Sequence, residues 1–220
     1  MSGITTAMTG SAKAEMGSGA HSFLATVTPT GTTTNGSPTV TALSSANGVM
    51  KGGAIAGANV PAGTIVKSVD STTQLTMSAN ATGGAASTLT ITYDAFKCAL
   101  IKSGMSGTYG ASTTNYSNVT GNSDEVSGTG YTAGGVALAN VSPANTGASA
   151  YWSFSANPSW TGASFSAAGC IIYSTAGNLG SVTGRAISVH DFGGTQTVTS
   201  GTFTILLPSN AANTSVLQIN

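Results

Sequence analysis

Apolar and polar positions alternate along most of this chain, in short runs separated by turn-forming residues. Between Ala25 and Asp94 four runs carry the period of two that a half-buried strand requires: Thr39–Leu43, Thr64–Val69, Gln74–Met77 and Thr88–Tyr93. Asn35-Gly36, Asn47-Gly48, Pro61-Ala62-Gly63 and Gly83-Gly84 supply turns between them, and Asp70-Ser71-Thr72-Thr73 reads as the loop of a hairpin. This stretch predicts a small β-sandwich or β-roll. From Ala95 the runs become more apolar. Phe96–Ile101 is a strong strand, and a polar, Gly-rich loop follows to about Val119. Asn122–Ser127 is expected to pair with a later segment. Val136–Val141, Ser149–Phe154, Ala163–Ser166, Gly169–Ser174, Ala186–His190, Gly201–Leu207 and Ser215–Ile219 complete the set. Their spacing, without long helical periods, predicts an all-β, antiparallel sandwich or jelly-roll-like domain. Tyr151, Trp152, Phe154, Trp160, Phe165, Phe192 and Phe203 are its expected aromatic core. Residues Ser2–Phe23 read differently. Ile4, Met8, Ala12, Glu15 and Met16 permit one short amphipathic helix that Gly17 and Gly19 would stop.

Phe23 and Phe96 flank the Thr/Ser/Gly-rich stretch, which places it as an insertion between neighbouring elements of one domain. Surface loops accept such insertions at low entropic cost. The expected organisation is a discontinuous main β-sandwich domain, 1–24 plus 95–220, with an inserted small β domain at 25–94. Two domains in series is the alternative.

Composition narrows the function classes. Charged residues are 5% of the chain, against about 25% in an ordinary soluble domain. Disorder would bring high net charge and few β-branched or aromatic residues. Here the net charge is +0 and hydrophobic residues reach 40%, so a folded β protein is expected. The six Lys and Arg are scattered from Lys13 to Arg185, which argues against nucleic acid as a partner. No stretch reaches the ~20 apolar residues of a membrane-spanning helix, and no secretory h-region follows Met1. Synthesis in a cytoplasm and release by lysis is the expected route. A surface with so little charge has weak colloidal protection as a free monomer, which suits a protein docked in an assembly. Cys98 and Cys170 lie in apolar strand-like runs. Free buried thiols are the plainer reading, a disulfide the other, and their spacing is not that of a metal site.

Residues able to do chemistry are few. Asp124 and Glu125 are adjacent, so on a strand they would face opposite ways rather than form an acid/base pair. They read as a charged loop or edge pair. His190-Asp191 is the one His–carboxylate neighbour, expected in a strand-ending turn before Phe192-Gly193-Gly194, and no Gly-x-Ser-x-Gly elbow accompanies it. His21 is isolated. Gly52-Gly53 and Gly128-Thr129-Gly130 lack the helix and Lys of a phosphate loop, and the carboxylates are too sparse for a calcium site. The reading is of a non-enzyme with no catalytic residues, no cofactor and no metal.

Several stretches resemble a family of phage-encoded virion proteins. They are Phe96-Lys97-Cys98-Ala99-Leu100-Ile101, Asn122-Ser123-Asp124-Glu125-Val126-Ser127-Gly128-Thr129-Gly130-Tyr131 and His190-Asp191-Phe192-Gly193-Gly194, with the closing Ser200-Gly201-Thr202-Phe203-Thr204-Ile205-Leu206-Leu207-Pro208 and Leu217-Gln218-Ile219. Met16-Gly17-Ser18-Gly19-Ala20-His21-Ser22-Phe23 is similar to the same family's opening. The resemblance covers 1–24 and 95–220. The inserted stretch, through Thr33–Ser37, Val60–Thr64 and Leu75–Thr82, resembles small β modules of phage tail and capsid proteins.

The resemblance implies a structural role in a bacteriophage virion and no catalytic residues. The leading expectation is a capsid decoration (cement or head-fibre) protein at the capsid surface, made in the host bacterial cytoplasm. Its expected partners are the major capsid protein and copies of itself, a trimer being one possible copy number. Residues 2–23 would serve as a docking arm, and Trp160 would become a contact if exposed. The alternative is a tail fibre or receptor-binding protein recognising a host surface glycan, marked by exposed aromatics beside Asn and Asp loops. A depolymerase would need a focused carboxylate cluster.

Overall fold

A computed structural model describes residues 3–175, 182–209, 211 and 214–219. The chain divides into two compact units: Met1–Phe23 with Asp94–Asn220, and Leu24–Tyr93. In chain order the first unit opens with β1 (Ala7–Met8) and α1 (Gly10–Gly17). The second unit holds β2 (Thr30–Thr33), β3 (Thr39–Thr41), β4 (Ala54–Ala56), β5 (Val66–Ser71), β6 (Gln74–Met77), β7 (Ala85–Thr88) and β8 (Thr90–Thr92). The first unit then resumes with β9 (Phe96–Lys102), α2 (Ser117–Gly121), β10 (Val136–Leu138), β11 (Ala144–Thr146), β12 (Ser149–Trp152), β13 (Ser159–Ser174), β14 (Ala186–Thr204) and β15 (Leu217–Ile219). The fold class is all-β, and every strand pairing is antiparallel.

In the second unit a five-stranded sheet runs β5-β6-β3-β2-β7, and β4 pairs β8. Val40, Val66, Leu75, Leu89 and Ile91 are fully buried between them. The β5–β6 hairpin turns at Thr72-Thr73, where the sequence places it. β2, β4 and β7 are additional to the sequence reading. β2 is Thr-Gly-Thr-Thr, which carries no apolar alternation. Gly31 lies so close to the core that a Cβ there would stand 2.7 Å from Val40 Cγ1, so the strand contributes backbone where others contribute side chains.

In the first unit the main sheet runs β1-β14-β13-β9-β10, and a smaller one runs β11-β12-β15. Apolar clusters cover both faces of β9. Phe96, Cys98 and Leu100 join one, with Trp152, Trp160 and Phe165; Ala99 and Ile101 join the other, with Tyr109, Val119 and Ile171. A strand buried on both faces reads as a continuous apolar run, which is why Phe96–Ile101 stands out in the sequence. Cys98 and Cys170 are buried free thiols, and the nearby Cys170 side chain together with burial pushes the Cys98 thiol well up. β10 closes tightly on β9 at Gly135. Its φ is +68° and a Cβ there would lie 1.9 Å from the Cys98 carbonyl oxygen, so only glycine fits.

Several expectations are corrected. The helix is shorter than the apolar pattern allows. Thr9 caps it, accepting from Ala12 N at 3.2 Å and donating to Ala186 O at 2.6 Å, while Ile4 and Met8 lie outside it in a bridge to Tyr109 and in β1. Of the docking arm expected over 2–23, the described residues 3–23 pack into their own unit rather than standing free. Ile4, Ala12 and Phe23 are buried, and Phe23 stacks on Phe96 with ring centroids 4.7 Å apart. Asn122–Ser127 pairs with the earlier β9 rather than a later segment, through Lys102 N to Asp124 O and Val126 N to Leu100 O. Runs 163–166 and 169–174 are joined in a single strand, β13, and run 186–190 is joined to the first four residues of run 201–207 in β14, which ends at Thr204. Register shifts punctuate both, so the polar interruptions are bulges inside strands rather than loops between them. Trp160 is 4% exposed, which removes it as a contact. Phe192 and Phe203 are half-buried.

Candidate functional site

Three polar groupings and one surface carry what chemistry the first unit has. The first grouping joins α1, the segment after it, Asp94 and β14. His21 Nδ1 lies 2.8 Å from Asp94 Oδ2, and His21 Nε2 lies 2.8 Å from Glu15 Oε2. Neither the His21 nor the Asp94 side chain is exposed. Arg185 closes the chain from β13's far end, with Nη2 2.6 Å and Nε 2.7 Å from Glu15 Oε1. Both ring nitrogens of His21 thus lie close to carboxylate oxygens: Nδ1 is hydrogen-bonded to Asp94 Oδ2, while the Nε2–Glu15 Oε2 contact is close without the alignment of a hydrogen bond. His21 is therefore not isolated, contrary to the sequence reading. Its partner Asp94 lies 73 positions away, beyond any local motif.

The second and third groupings are built on Asp124 and Glu125. The two point to separate partner sets, as their adjacency predicts, but neither is a solvated loop charge. Asp124 is fully buried. It accepts from Ser106 N at 2.9 Å, Gly107 N at 2.7 Å and the Tyr109 hydroxyl at 2.6 Å, with Lys102 Nζ 3.5 Å away. Burial works to raise its pKa, but the Tyr109 hydroxyl and the two amides outweigh it and hold the carboxyl at about 2. Burial and this carboxylate push the Tyr109 hydroxyl up to about 12. Glu125 accepts from the Tyr116 hydroxyl, from Tyr131 Oη at 2.7 Å and from Gly134 N at 2.6 Å. Tyr116 stacks on Tyr173 at 4.2 Å. The hydroxyls of Tyr116 and Tyr131 are both raised, by burial first and the Glu125 carboxylate second. These carboxylates fasten loops to the sheet.

His190 and Asp191 lie within β14, not in a strand-ending turn. His190 Nε2 is 2.9 Å from Ser188 Oγ, and burial lowers its pKa. Asp191 turns away and accepts from Gly193 N at 3.0 Å, so no His–carboxylate relay forms. Gly193, at φ +74°, sits in the bulge where residues 192–195 of β14 oppose Ala168. A cleft of about 370 Å³ opens beside it, lined in part by Gly3, Met105 and Asp191. Among the described residues no group of three or more His, Cys, Asp or Glu is placed to hold a metal ion, and no helix is long and apolar enough to cross a membrane.

The surface feature is the outer half of the β13–β14 ribbon. Over Ala186–Asp191 β14 is sandwiched by β13 and, at Ser188 and Val189, by β1. From Phe192 onward its only strand partner among the described residues is β13. One face of this ribbon carries a chain of rings. Tyr131 stacks on Trp160 at 6.0 Å, Trp160 meets Phe165 edge-on, and Phe165 leads to Phe203 at 5.3 Å and on to Phe192. Tyr131, Phe192, Val198, Phe203, Ile205 and Leu207 lie against the core but remain partly open. Between Phe192 and the Phe203–Leu206 run lies a groove of about 280 Å³. Leu206 beside it is 79% exposed. Sequence reasoning assigned these aromatics to the core. The signal it missed was Phe203-Thr204-Ile205-Leu206-Leu207, where consecutive apolar residues run on from the end of the strand and cannot all face the core. No protein-family profile matches the chain, and neither the curated proteins nor the solved structures contain a match.

Proposed function

We propose that this chain is a structural virion protein of a bacteriophage, a capsid decoration protein that docks on the major capsid protein. The observation that carries the reading is where the chemistry goes. His21, Asp94, Asp124, Glu125 and Arg185 are spent on internal contacts, while the conspicuous outward feature is an uncharged β edge with half-open aromatic and aliphatic side chains. Such a surface suits strand addition and apolar contact rather than catalysis. Repetition over a lattice would make individually modest contacts strong together. The resemblance of 1–24 and 95–220 to phage virion proteins supplies the setting. The receptor-binding alternative called for exposed aromatics; Tyr151, Trp152 and Trp160 are 8%, 5% and 4% exposed, and the half-open Phe192 and Phe203 lie on an uncharged edge with no Asp among the residues that line the groove.

Immunogold electron microscopy of purified particles, with antibody against this chain, tests the proposal. Gold spread evenly over the head is the expected result. Gold confined to the tail tip would replace decoration with receptor binding, and particles without gold would remove the virion role.

A further inference from the structure

Exposed strand edges are ordinarily blunted by charge, proline or bulges, because their unpaired backbone groups template further pairing. In its outer half β14 carries extra residues at two places. Residues 192–195 bulge opposite Ala168, and a register shift falls at Thr199-Ser200. One further register shift, between Trp160 and Ala163, places its extra residue on β13, at Thr161-Gly162, so from Gly201 onward β14 itself has no extra residue. Ser159 pairs with Thr204 and Trp160 with Phe203. Past the strand's end, Ile205 N donates to Pro158 O at 3.0 Å and Leu207 N to Asn157 Oδ1 at 2.8 Å.

These bonds fix which backbone groups remain open. Ile205 and Leu207 direct their N–H groups inward, toward the 157–160 segment. In an antiparallel ladder the alternate residues direct theirs outward, so Thr204 and Leu206 present N–H and C=O to the open side, and Thr202 follows by the same alternation. No charged residue and no proline occurs from Phe192 to Leu207. The side chains divide in the same rhythm. Phe203, Ile205 and Leu207 lie half-buried against the core, whereas Thr202, Thr204 and Leu206 are exposed.

We propose that Thr202–Leu206 is a homodimer interface, in which the same edge of a second copy adds antiparallel about a two-fold axis at Thr204. The segment is self-complementary in that register. Thr204 meets the partner's Thr204, and Thr202 meets the partner's Leu206. Phe203 falls opposite the partner's Ile205 on the core-facing side, so each half-open apolar side chain extends the other copy's core cluster. The groove between Phe192 and Leu206 is the space that the partner's Ile205 enters. A second copy brings no like charge to the contact, because the segment has none. An isologous pairing also closes on itself and uses up this edge on both copies. The inference stands independently of the virion reading.

Sedimentation velocity on the full-length protein over a concentration series tests it, with two variants. Thr204→Pro removes an outward N–H and leaves the Ile205–Pro158 bond in place. Leu206→Asp puts a charge on an exposed side chain at the interface. The wild type is expected to sediment as a dimer below about 100 µM, and each variant that keeps its circular dichroism spectrum should weaken dimerisation by ~10-fold or more. A wild type monomeric at that concentration overturns the proposal. So does an oligomer whose association is unchanged in Leu206→Asp, the substitution that disturbs no intramolecular bond.

Discussion

The two units are built from the same small residues but solve the problem of stability differently. Leu24–Tyr93 holds one carboxylate, the exposed Asp70, and no histidine. Its interior is aliphatic, and its one buried hydroxyl-bearing ring, Tyr93, is satisfied by Gly48 O at 2.6 Å and Met50 N at 2.8 Å. The other unit holds Glu15, Asp94, Asp124, Glu125, Asp191 and both histidines. It buries Asp94 and Asp124 outright. A chain with 5% charged residues has thus drawn most of its acid groups into one unit and used them as internal fasteners. Buried ion pairs are weak evidence for net stability, but breaking one strands its partner. The comparison therefore predicts a unit sensitive to single polar substitutions and to acid, beside one that responds to apolar packing.

The largest effect should come from His21→Ala. The substitution takes the imidazole from between Glu15 and the unexposed Asp94, and is expected to cost about 3–5 kcal/mol. Trp152 and Trp160 both lie in this unit and the other has no tryptophan. Tryptophan fluorescence during urea unfolding therefore reports this unit alone. An unchanged midpoint would mean that the buried relay contributes nothing and would erase the contrast. Next in size is Leu75→Ala in the other unit. Leu75 is fully buried among Val40, Val66 and Met77, and a cavity there costs about 2–4 kcal/mol. Circular dichroism should show an earlier transition while the tryptophan signal holds its midpoint. A matching shift in both signals would show that the units unfold together.

The contrast also explains what could be read beforehand. Gln74–Met77 and Phe96–Ile101 declare themselves because their side chains do the packing, and packing is what hydrophobic period records. β2 is silent because it packs with backbone at Gly31. β13 and β14 read as four strands because register shifts break the alternation, at Ala167-Ala168 in β13 and through Gly193, Gly194 and Ser200 in β14, and a bulge resembles a turn in one dimension. The polar groupings were the least legible. Asp124 and Glu125 show their opposed directions from adjacency alone, but the tyrosines that receive them come from loops. His21 finds Asp94 only through the return of the chain after Leu24–Tyr93. Half-buried Phe192 and Phe203 look like core because nothing in a strand pattern says where a sheet ends.

Acid supplies the finest test, because its sign follows from which groups are shifted. The Asp124 carboxyl titrates at about 2 in the fold against 3.8 ordinarily, so the unfolded chain takes up the proton first, and stability falls as pH drops from about 4 toward 2. His190 is lowered by burial. The unfolded chain again protonates first, which removes stability as pH falls below the ordinary histidine value of 6.5. Both groups belong to the tryptophan-bearing unit. In the other unit the one shifted acid is Asp70, lowered chiefly by Ser68 and Thr76 hydroxyls at 2.7 Å, and full exposure leaves that interaction screened. The tryptophan midpoint should therefore drop across both acid windows, Asp124→Asn should remove the lower one, and Asp70→Asn should leave the acid response of both signals where it was. A marked acid shift abolished by Asp70→Asn would show that the hairpin carboxylate, not the buried ones, governs the response, and the division of labour between the units would fail.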